Sequence, residues 1–156
     1  MAGRFWEDWT IGDRIDHEIR RTVTETDNLL FSTMTHNPQP LHLDLEAAKA
    51  SEFGRILVNG TFTFSLMVGL SVGDTTLGVL VANLGYDKLV MPSPVFIGDT
   101  MRASTEVVEL RESRSRPTAG LVTFRHELHN QRDQLVCQCL RTALVQRRPA
   151  SEGSGV

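Results

Sequence analysis

The stretch from Phe62 to Val72 constrains the fold more than any other part of the chain. Apolar side chains are spread along it so that a helix would have no polar face. A helix that is apolar all round is buried in the protein interior, and this one is too short to cross a bilayer. We therefore predict a buried central helix that begins near Asn59 and Gly60 and ends at about Val72, before Gly73 and Asp74.

The second half of the chain has the alternating pattern of strands. Polar and apolar residues alternate over 101–107 and 122–128, and two further strands are predicted at 79–89 and 135–146. Before the central helix, we predict a strand at 14–23, a helix at 25–34 capped by Thr24, and a short helix at about 44–51 capped by Asp44. These elements indicate an α+β domain in which an antiparallel sheet wraps around the buried helix.

The length of 156 residues is that of one domain. We assign residues 1–148 to this domain and expect residues 149–156, which are small and polar, to form a disordered tail. The net charge is −3 and there is no basic stripe, which argues against nucleic-acid binding. The N-terminus has no apolar signal segment, so we expect a cytoplasmic protein that does not contact membranes.

Two short motifs have a structural and a functional interpretation. Cys137 and Cys139 form a C-x-C in a predicted strand, where both side chains point to one face. Without further cysteine pairs, two buried thiols are favoured over a metal site, and so few cysteines suit a reducing compartment. The cluster of Arg111, Arg114 and Arg116 is interrupted by polar and acidic residues, and we interpret it as a solvated hairpin loop rather than an anion site.

The segment His36-Asn37-Pro38-Gln39-Pro40-Leu41-His42-Leu43-Asp44 is the first candidate for chemistry. Its two prolines exclude regular structure and make the loop stiff, and a stiff loop holds side chains in fixed positions. Histidine is the side chain best suited to proton transfer near neutral pH. On these residues alone, the alternative that Asn37 is a turn residue and His42 a hydrogen-bonded structural histidine remains open.

Gly60 is the second candidate. It is predicted at the start of the buried helix, where backbone N–H groups lack partners and the helix dipole favours negative charge. Glycine also lets a ligand approach the backbone closely. The alternative is an ordinary helix start that tolerates glycine.

The chain resembles the MaoC-like dehydratases and R-specific enoyl-CoA hydratases of the hot-dog superfamily. That family has a loop of the form Asp-x-Asn-Pro-x-His and a later His-Gly that opens the central helix. Counting back from His42, Pro40 takes the proline position, Gln39 that of the asparagine and Asn37 that of the aspartate. Gly60 takes the place of the family's glycine, and Asn59 that of its histidine.

The similarity extends over about residues 5–147. Ile11-Gly12-Asp13 resembles the family's opening Val-Gly-Asp, and residues 24–27 resemble its first helix start. Residues 94–100, Pro-Val-Phe-Ile-Gly-Asp-Thr, resemble its strand entry. The resemblance rests on the order and spacing of these motifs.

The resemblance implies reversible addition of water to a trans-2-enoyl-CoA, giving a 3-hydroxyacyl-CoA. It implies catalytic roles for Asn37 and His42 and substrate contacts for Gln39, Asn59 and Gly60, with no cofactor and no metal. The loop is loosely similar to those of hydratases acting on short branched or dicarboxylic substrates such as mesaconyl-CoA. Hot-dog relatives pair two sheets side by side, so a homodimer or dimer-based assembly is expected.

Asn37 departs from the family pattern because an amide cannot carry a titrating proton. Either His42 makes both proton transfers, or the domain binds acyl-CoA without catalysis. If Asn37-Pro38 instead matches the family's Asn-Pro, the aspartate position falls on Thr35, which is no acid either. A hot-dog thioesterase is a third possibility, although residues 59–72 lack the acid that such enzymes carry on or near the central helix.

Overall fold

The computed structural model describes residues 3–149. Their five strands are β1 (Arg14–Thr22), β2 (Leu80–Val90), β3 (Thr100–Glu112), β4 (Ala119–His129) and β5 (Leu135–Gln146). Their α-helices are α1 (Glu25–Met34), α2 (Pro40–Leu43), α3 (Leu45–Ala50) and α4 (Gly60–Thr75), and a 3-10 turn covers Trp6–Asp8.

The strands form one sheet in the order β1-β3-β4-β5-β2. Every neighbouring pair is antiparallel, and β1 and β2 are the two edges. The sheet packs on α4 through a core that includes Met67 and Leu70 of the helix and Met101, Leu128 and Cys139 of the strands. The predicted α+β architecture, a sheet around a central helix, is confirmed.

The two faces of the sheet have separate apolar clusters. Successive strand residues point to opposite faces, so Val122 and Phe124 belong to the core, whereas Leu121 lies on the other side. Leu121 packs with Ala119 and Leu144 in a small cluster of its own. We call this side, which faces away from α4, the outer face.

Helix α4 differs from the predicted helix in length and in burial. It continues through Gly73 and Asp74 to Thr75, because Asp74 hydrogen-bonds to His17 of β1 at 2.8 Å. Its buried positions include Ser71 and Thr75, whose hydroxyls donate to carbonyl oxygens one turn back. Several apolar residues of the predicted all-apolar surface, among them Phe62 and Phe64, are only half-buried.

The prediction that residues 36–44 contain no regular structure is wrong at one point. Residues Pro40–Leu43 form the single helical turn α2, with Pro40 at its start. Proline is tolerated there because the first helical N–H has no partner within the helix. His36, just before, has a positive φ of 53°.

None of the helices within residues 3–149 has the length and apolar character needed to cross a membrane. The predicted tail lies outside the described residues except for Pro149.

Candidate active site

A cavity of about 270 Å³ opens at the N-terminal end of α4. His42, Gly60 and Thr63 lie along it, and the segment after β2, residues 91–95, forms another part of its wall. Phe53 and Val136 add apolar surface. Two of the sequence candidates, His42 and Gly60, therefore meet at one cavity.

His42 is held by its backbone and by one ring nitrogen. Its Nδ1 is 2.7 Å from the carbonyl oxygen of Leu57. A carbonyl only accepts hydrogen bonds, so Nδ1 carries the proton and donates it. In the neutral ring, Nε2 is then left with a free lone pair, which is the form that a general base requires.

Gly60 is the first residue of α4, and its N–H has no partner within the helix. A Cβ built on Gly60 would lie 2.7 Å from the Sδ of Met91, which is closer than such atoms approach. Glycine thus allows the Met91 side chain to rest against the start of the helix. It also leaves a peptide N–H at the positive end of the helix dipole, beside the cavity.

Asn59 acts as the N-cap of α4. Its Oδ1 accepts from the Thr61 N–H at 3.0 Å, its Nδ2 donates to the Ser32 hydroxyl at 3.2 Å, and the residue is only 1% exposed. Its amide is therefore used inside the protein, and the predicted substrate contact of Asn59 has no support in this geometry.

Asn37 and Gln39 are not among the residues that line the cavity. The Oδ1 of Asn37 accepts from the backbone N–H of Gln39 at 3.1 Å, which closes a tight turn before α2. Gln39 is exposed. Asp44 caps α3 through the backbone N–H groups of Glu46 and Ala47, as predicted.

The family model for the MaoC like domain matches residues 7–129. The chain belongs to this family. A mesaconyl-CoA hydratase of Cereibacter sphaeroides is 35% identical to this MaoC-like chain over 147 residues, covering 94% of it and 42% of the relative. The chain therefore spans less than half the length of that curated relative.

Solved structures confirm the hot-dog fold of this MaoC-like domain. A monoamine oxidase regulatory protein from Archaeoglobus fulgius superposes with a TM-score of 0.84 at 35% identity, covering 96% of this chain and 98% of that one. A Mycobacterium tuberculosis protein with a double hot-dog fold gives 0.86 at 25% identity, covering 99% of this chain and 47% of that one. The MaoC-like domain therefore matches about half of that double hot-dog chain.

Asn28 is a site residue that sequence reasoning missed. It lies on α1 and is 2% exposed. Its Nδ2 donates to the carbonyl oxygen of His42 at 2.9 Å, and its Oδ1 accepts from the N–H of Asn59 at 2.9 Å. The available signal was the pair of polar residues Asn28 and Ser32, one turn apart on a face that had to be buried.

Thr63 and Ser93 were also missed. They contribute the polar side chains of the cavity lining besides His42. Thr63 is buried on α4, and Ser93 is half-buried between two prolines. Among residues 3–149, no carboxylate and no Lys or Arg lines the cavity.

A separate polar cluster lies in the core of the MaoC-like domain. His17 hydrogen-bonds to Asp74 and, at 2.7 Å, to Thr105, which contacts His126 at 2.8 Å. Burial, the nearby Arg141 guanidinium and His17 lower the pKa of His126 to about 3. Both histidines therefore have a structural role in the core.

Cys137 and Cys139 are buried free thiols, as predicted. Burial raises the pKa of Cys137 to about 12 and that of Cys139 to about 11, so both remain protonated and unreactive. Within residues 3–149, no group of three or more His, Cys, Asp or Glu side chains is arranged to hold a metal ion.

Proposed function

We propose that this MaoC-like domain is an enoyl-CoA hydratase, which adds water reversibly to a trans-2-enoyl-CoA and forms a 3-hydroxyacyl-CoA. The observation that carries the proposal is the meeting of two groups at one cavity. His42 lines it with a ring whose Nδ1 is held by the Leu57 carbonyl oxygen, and Gly60 lines it as the first residue of α4, where the N–H has no partner within the helix. Addition of water to a conjugated thioester requires a base and a donor for the developing enolate oxygen.

The reaction can be written with these groups alone. His42 Nε2 takes a proton from water, and the hydroxide oxygen bonds to C3 of the enoyl group. The electron pair of the double bond moves toward the thioester oxygen, where the Gly60 N–H stabilises the negative charge. The same Nε2 then returns the proton to C2. The reverse sequence removes water.

His42 has to carry both proton steps because none of the described residues that line the cavity is a carboxylate. We assign Asn37 to positioning instead of proton transfer. The turn that its side chain closes with the Gln39 N–H sets the start of α2, and α2 carries His42. The Thr63 and Ser93 hydroxyls are the side chains available to hold the attacking water.

For the substrate we propose a short branched or dicarboxylic enoyl-CoA, such as mesaconyl-CoA. The mesaconyl-CoA hydratase of Cereibacter sphaeroides is 35% identical, and the cavity of about 270 Å³ suits a short acyl group. Phe53 and Val136 provide apolar surface for a methyl branch.

We further propose that the active form is a homodimer in the cytoplasm. Strand β2 is an unpaired edge with exposed apolar residues, including Leu84 at 55% and Val90 at 48%, and open edges are normally paired or covered. The double hot-dog relative carries two such units in one chain. Two free thiols suit a reducing compartment.

One assay tests the function. The protein is incubated with crotonyl-CoA and mesaconyl-CoA, and loss of enoyl-thioester absorbance is followed in parallel with release of free thiol. Hydration removes the absorbance without releasing thiol. Thiol release without prior hydration would identify a thioesterase, and binding without either signal would identify a non-catalytic acyl-CoA-binding domain. The acid of α4, Asp74, is engaged by His17, which argues against the thioesterase.

A further inference from the structure

Arg55 lies in the segment that joins α3 to α4, and its side chain is exposed. The central carbon of its guanidinium group lies 3.6 Å from the centre of the Phe96 ring. This is the distance of a guanidinium that rests on an aromatic face, where the attraction of the charge to the ring and apolar contact both stabilise it. One face of the group is thereby covered, whereas the N–H groups at its edge stay available to a ligand.

The Phe96 ring places Arg55 beside the active-site cavity. Phe96 is the antiparallel partner of Leu57, and the side chains of such partners point to the same side. Leu57 lines the cavity, and so does Phe53, whose ring centre lies 6.4 Å from that of Phe96. The carbonyl oxygen of Leu57 also accepts from His42. Arg55 is therefore one aromatic ring away from the cavity wall, next to the backbone that holds the proposed base.

The charge of Arg55 is not neutralised by the protein. Arg147 and Arg148 also stack on aromatic rings, but Glu112 and Asp8 pair with them. In the part of the chain that the structure describes, no carboxylate lies within ion-pair distance of Arg55. An exposed guanidinium with free N–H groups along its edge and no carboxylate partner is suited to bind a phosphate group.

The position of Arg55 decides which anionic group of a CoA thioester it can meet. Among the described residues, no Lys or Arg lines the cavity, so the acyl group meets a neutral wall there. The pantetheine arm separates the phosphates from the thioester, and a cation that binds them has to lie outside the acyl cavity but near it. Arg55 meets both conditions. The 5′-diphosphate is attached directly to pantetheine, whereas the 3′-phosphate lies beyond it on the ribose, so the diphosphate comes closer to the cavity.

We propose that Arg55 binds the 5′-diphosphate of the CoA thioester, with Phe96 holding its guanidinium group in place for this contact. The inference rests on the proposed function, since that function supplies a CoA ester as substrate. In this role Arg55 is a binding residue and takes no part in proton transfer. Its loss should therefore lower the affinity for the ester and leave the chemical step at His42 unchanged.

Calorimetric titration with butyryl-CoA tests the contact without catalysis, because this saturated ester cannot be hydrated. Arg55→Met removes the charge and keeps an unbranched side chain over the Phe96 ring. We expect its affinity for butyryl-CoA to fall by at least about tenfold, because charge-assisted hydrogen bonds to phosphate are lost. The affinity for butyryl-pantetheine, which lacks the phosphates, should not change. The loss should persist with the butyryl ester of dephospho-CoA, which keeps the diphosphate but lacks the 3′-phosphate.

Arg4→Met is the matched control. Arg4 is also exposed, stacks on the Trp9 ring and, within the described chain, has no carboxylate partner. It lies at the other end of α4, where its backbone N–H donates to the carbonyl oxygen of Thr75. Arg4→Met should bind butyryl-CoA as the wild type does. Arg55→Lys, which keeps the charge, should bind this ester more tightly than Arg55→Met does.

Unchanged affinity for butyryl-CoA in Arg55→Met overturns the proposal, as does an equal loss in Arg4→Met. An equal loss with butyryl-pantetheine would also overturn it, since Arg55 would then act on the cavity and not on phosphate. A loss that disappears with the dephospho-CoA ester would exclude the diphosphate. A protein that binds butyryl-CoA through Arg55 but hydrates nothing would refute the proposed function and leave this contact. Hydration of crotonyl-CoA with an unchanged KM in Arg55→Met would refute the contact and leave the proposed function.

Discussion

Asn28 donates a hydrogen bond from its side-chain amide to the carbonyl oxygen of His42, over 2.9 Å. The same amide accepts from the N–H of Asn59, which precedes Gly60. One buried side chain of α1 therefore sets the distance between the proposed base and the start of α4.

Replacing Asn28 by Asp tests this link. The substitution keeps the acceptor for the Asn59 N–H but turns a carboxylate oxygen toward the His42 carbonyl. We expect the free energy of unfolding to fall by about 1–3 kcal/mol, the cost of a broken buried hydrogen bond, and kcat to fall as well. Thr33→Ala is the control, since that hydroxyl contacts only α1 carbonyls. An Asn28→Asp protein with unchanged kcat would show that the link does not position His42.

His42→Ala should abolish most hydration while preserving the fold. A general acid–base group typically contributes about 10² to 10⁴-fold to the rate, and His42 is the only titratable side chain in the described part of the chain that lines the cavity. His36→Asn is the matched control, because His36 is an exposed histidine of the same loop and Asn tolerates its positive φ. The activity of both variants is measured as the steady-state rate of crotonyl-CoA hydration. A loss below about fivefold in His42→Ala, at unchanged Tm, would place the base elsewhere.

Gly60→Ala should reduce activity far more than stability. The new methyl group meets the end of the Met91 side chain, which is 42% exposed and can move, but it also covers the proposed oxyanion donor. We expect a loss of about 10²-fold in kcat, comparable to removing one such donor. Gly69→Ala, on the same helix with open space around it, should keep kcat and gain up to about 1 kcal/mol of stability.

The double variant Gly60→Ala/Met91→Ala separates two causes of the loss of kcat in Gly60→Ala. If the loss arises only from the displaced Met91, the second change restores kcat. If it arises at the Gly60 N–H, as we propose, activity stays low.

Acid should destabilise the protein in part through His126. The pKa of His126 is about 3 in the folded chain and ordinarily about 6.5. Below pH 6.5, His126 therefore becomes protonated in the unfolded chain but stays neutral in the folded chain. The stability contributed by neutral His126 is complete above pH 6.5 and is lost progressively as pH falls toward 3. Between pH 6.5 and 5 the loss is about 2 kcal/mol.

Urea unfolding at these two pH values measures the effect. His126→Gln, which can still reach Thr105, should be less stable at neutral pH but lose less stability on acidification. His36→Asn should lose as much as the wild type. Equal losses in His126→Gln and the wild type would mean that another group dominates the acid response.

The sequence was most informative where local pattern decides structure. The helix at 25–34 and the strand at 135–146 have the predicted bounds, because a capping box and an alternating run are local signals. The last turn of α4 was missed, since Asp74 is held by His17, which is distant in the chain.

The sequence predicted the two central residues of the candidate site, His42 and Gly60, but not the side chains that hold them in place. His42 and Gly60 do meet at one cavity, because a stiff loop and a helix start are both visible in sequence. The roles of Asn28 and Asn59 depend on which side chains face each other across α1 and α4. The contact of Arg55 with Phe96 depends on the pairing of Leu57 with Phe96, which no local pattern reveals.

The main-chain nature of the proposed oxyanion donor limits how this scaffold can diversify. A peptide N–H at Gly60 has no side chain whose acidity or reach could be graded by substitution, and Met91 rests where any larger residue would begin. New acyl preferences on this scaffold would therefore have to arise in the walls of the cavity, at residues such as Phe53 and Met91. The Gly60 N–H that stabilises the enolate oxygen would stay the same, while the substrate specificity changes through the surrounding residues.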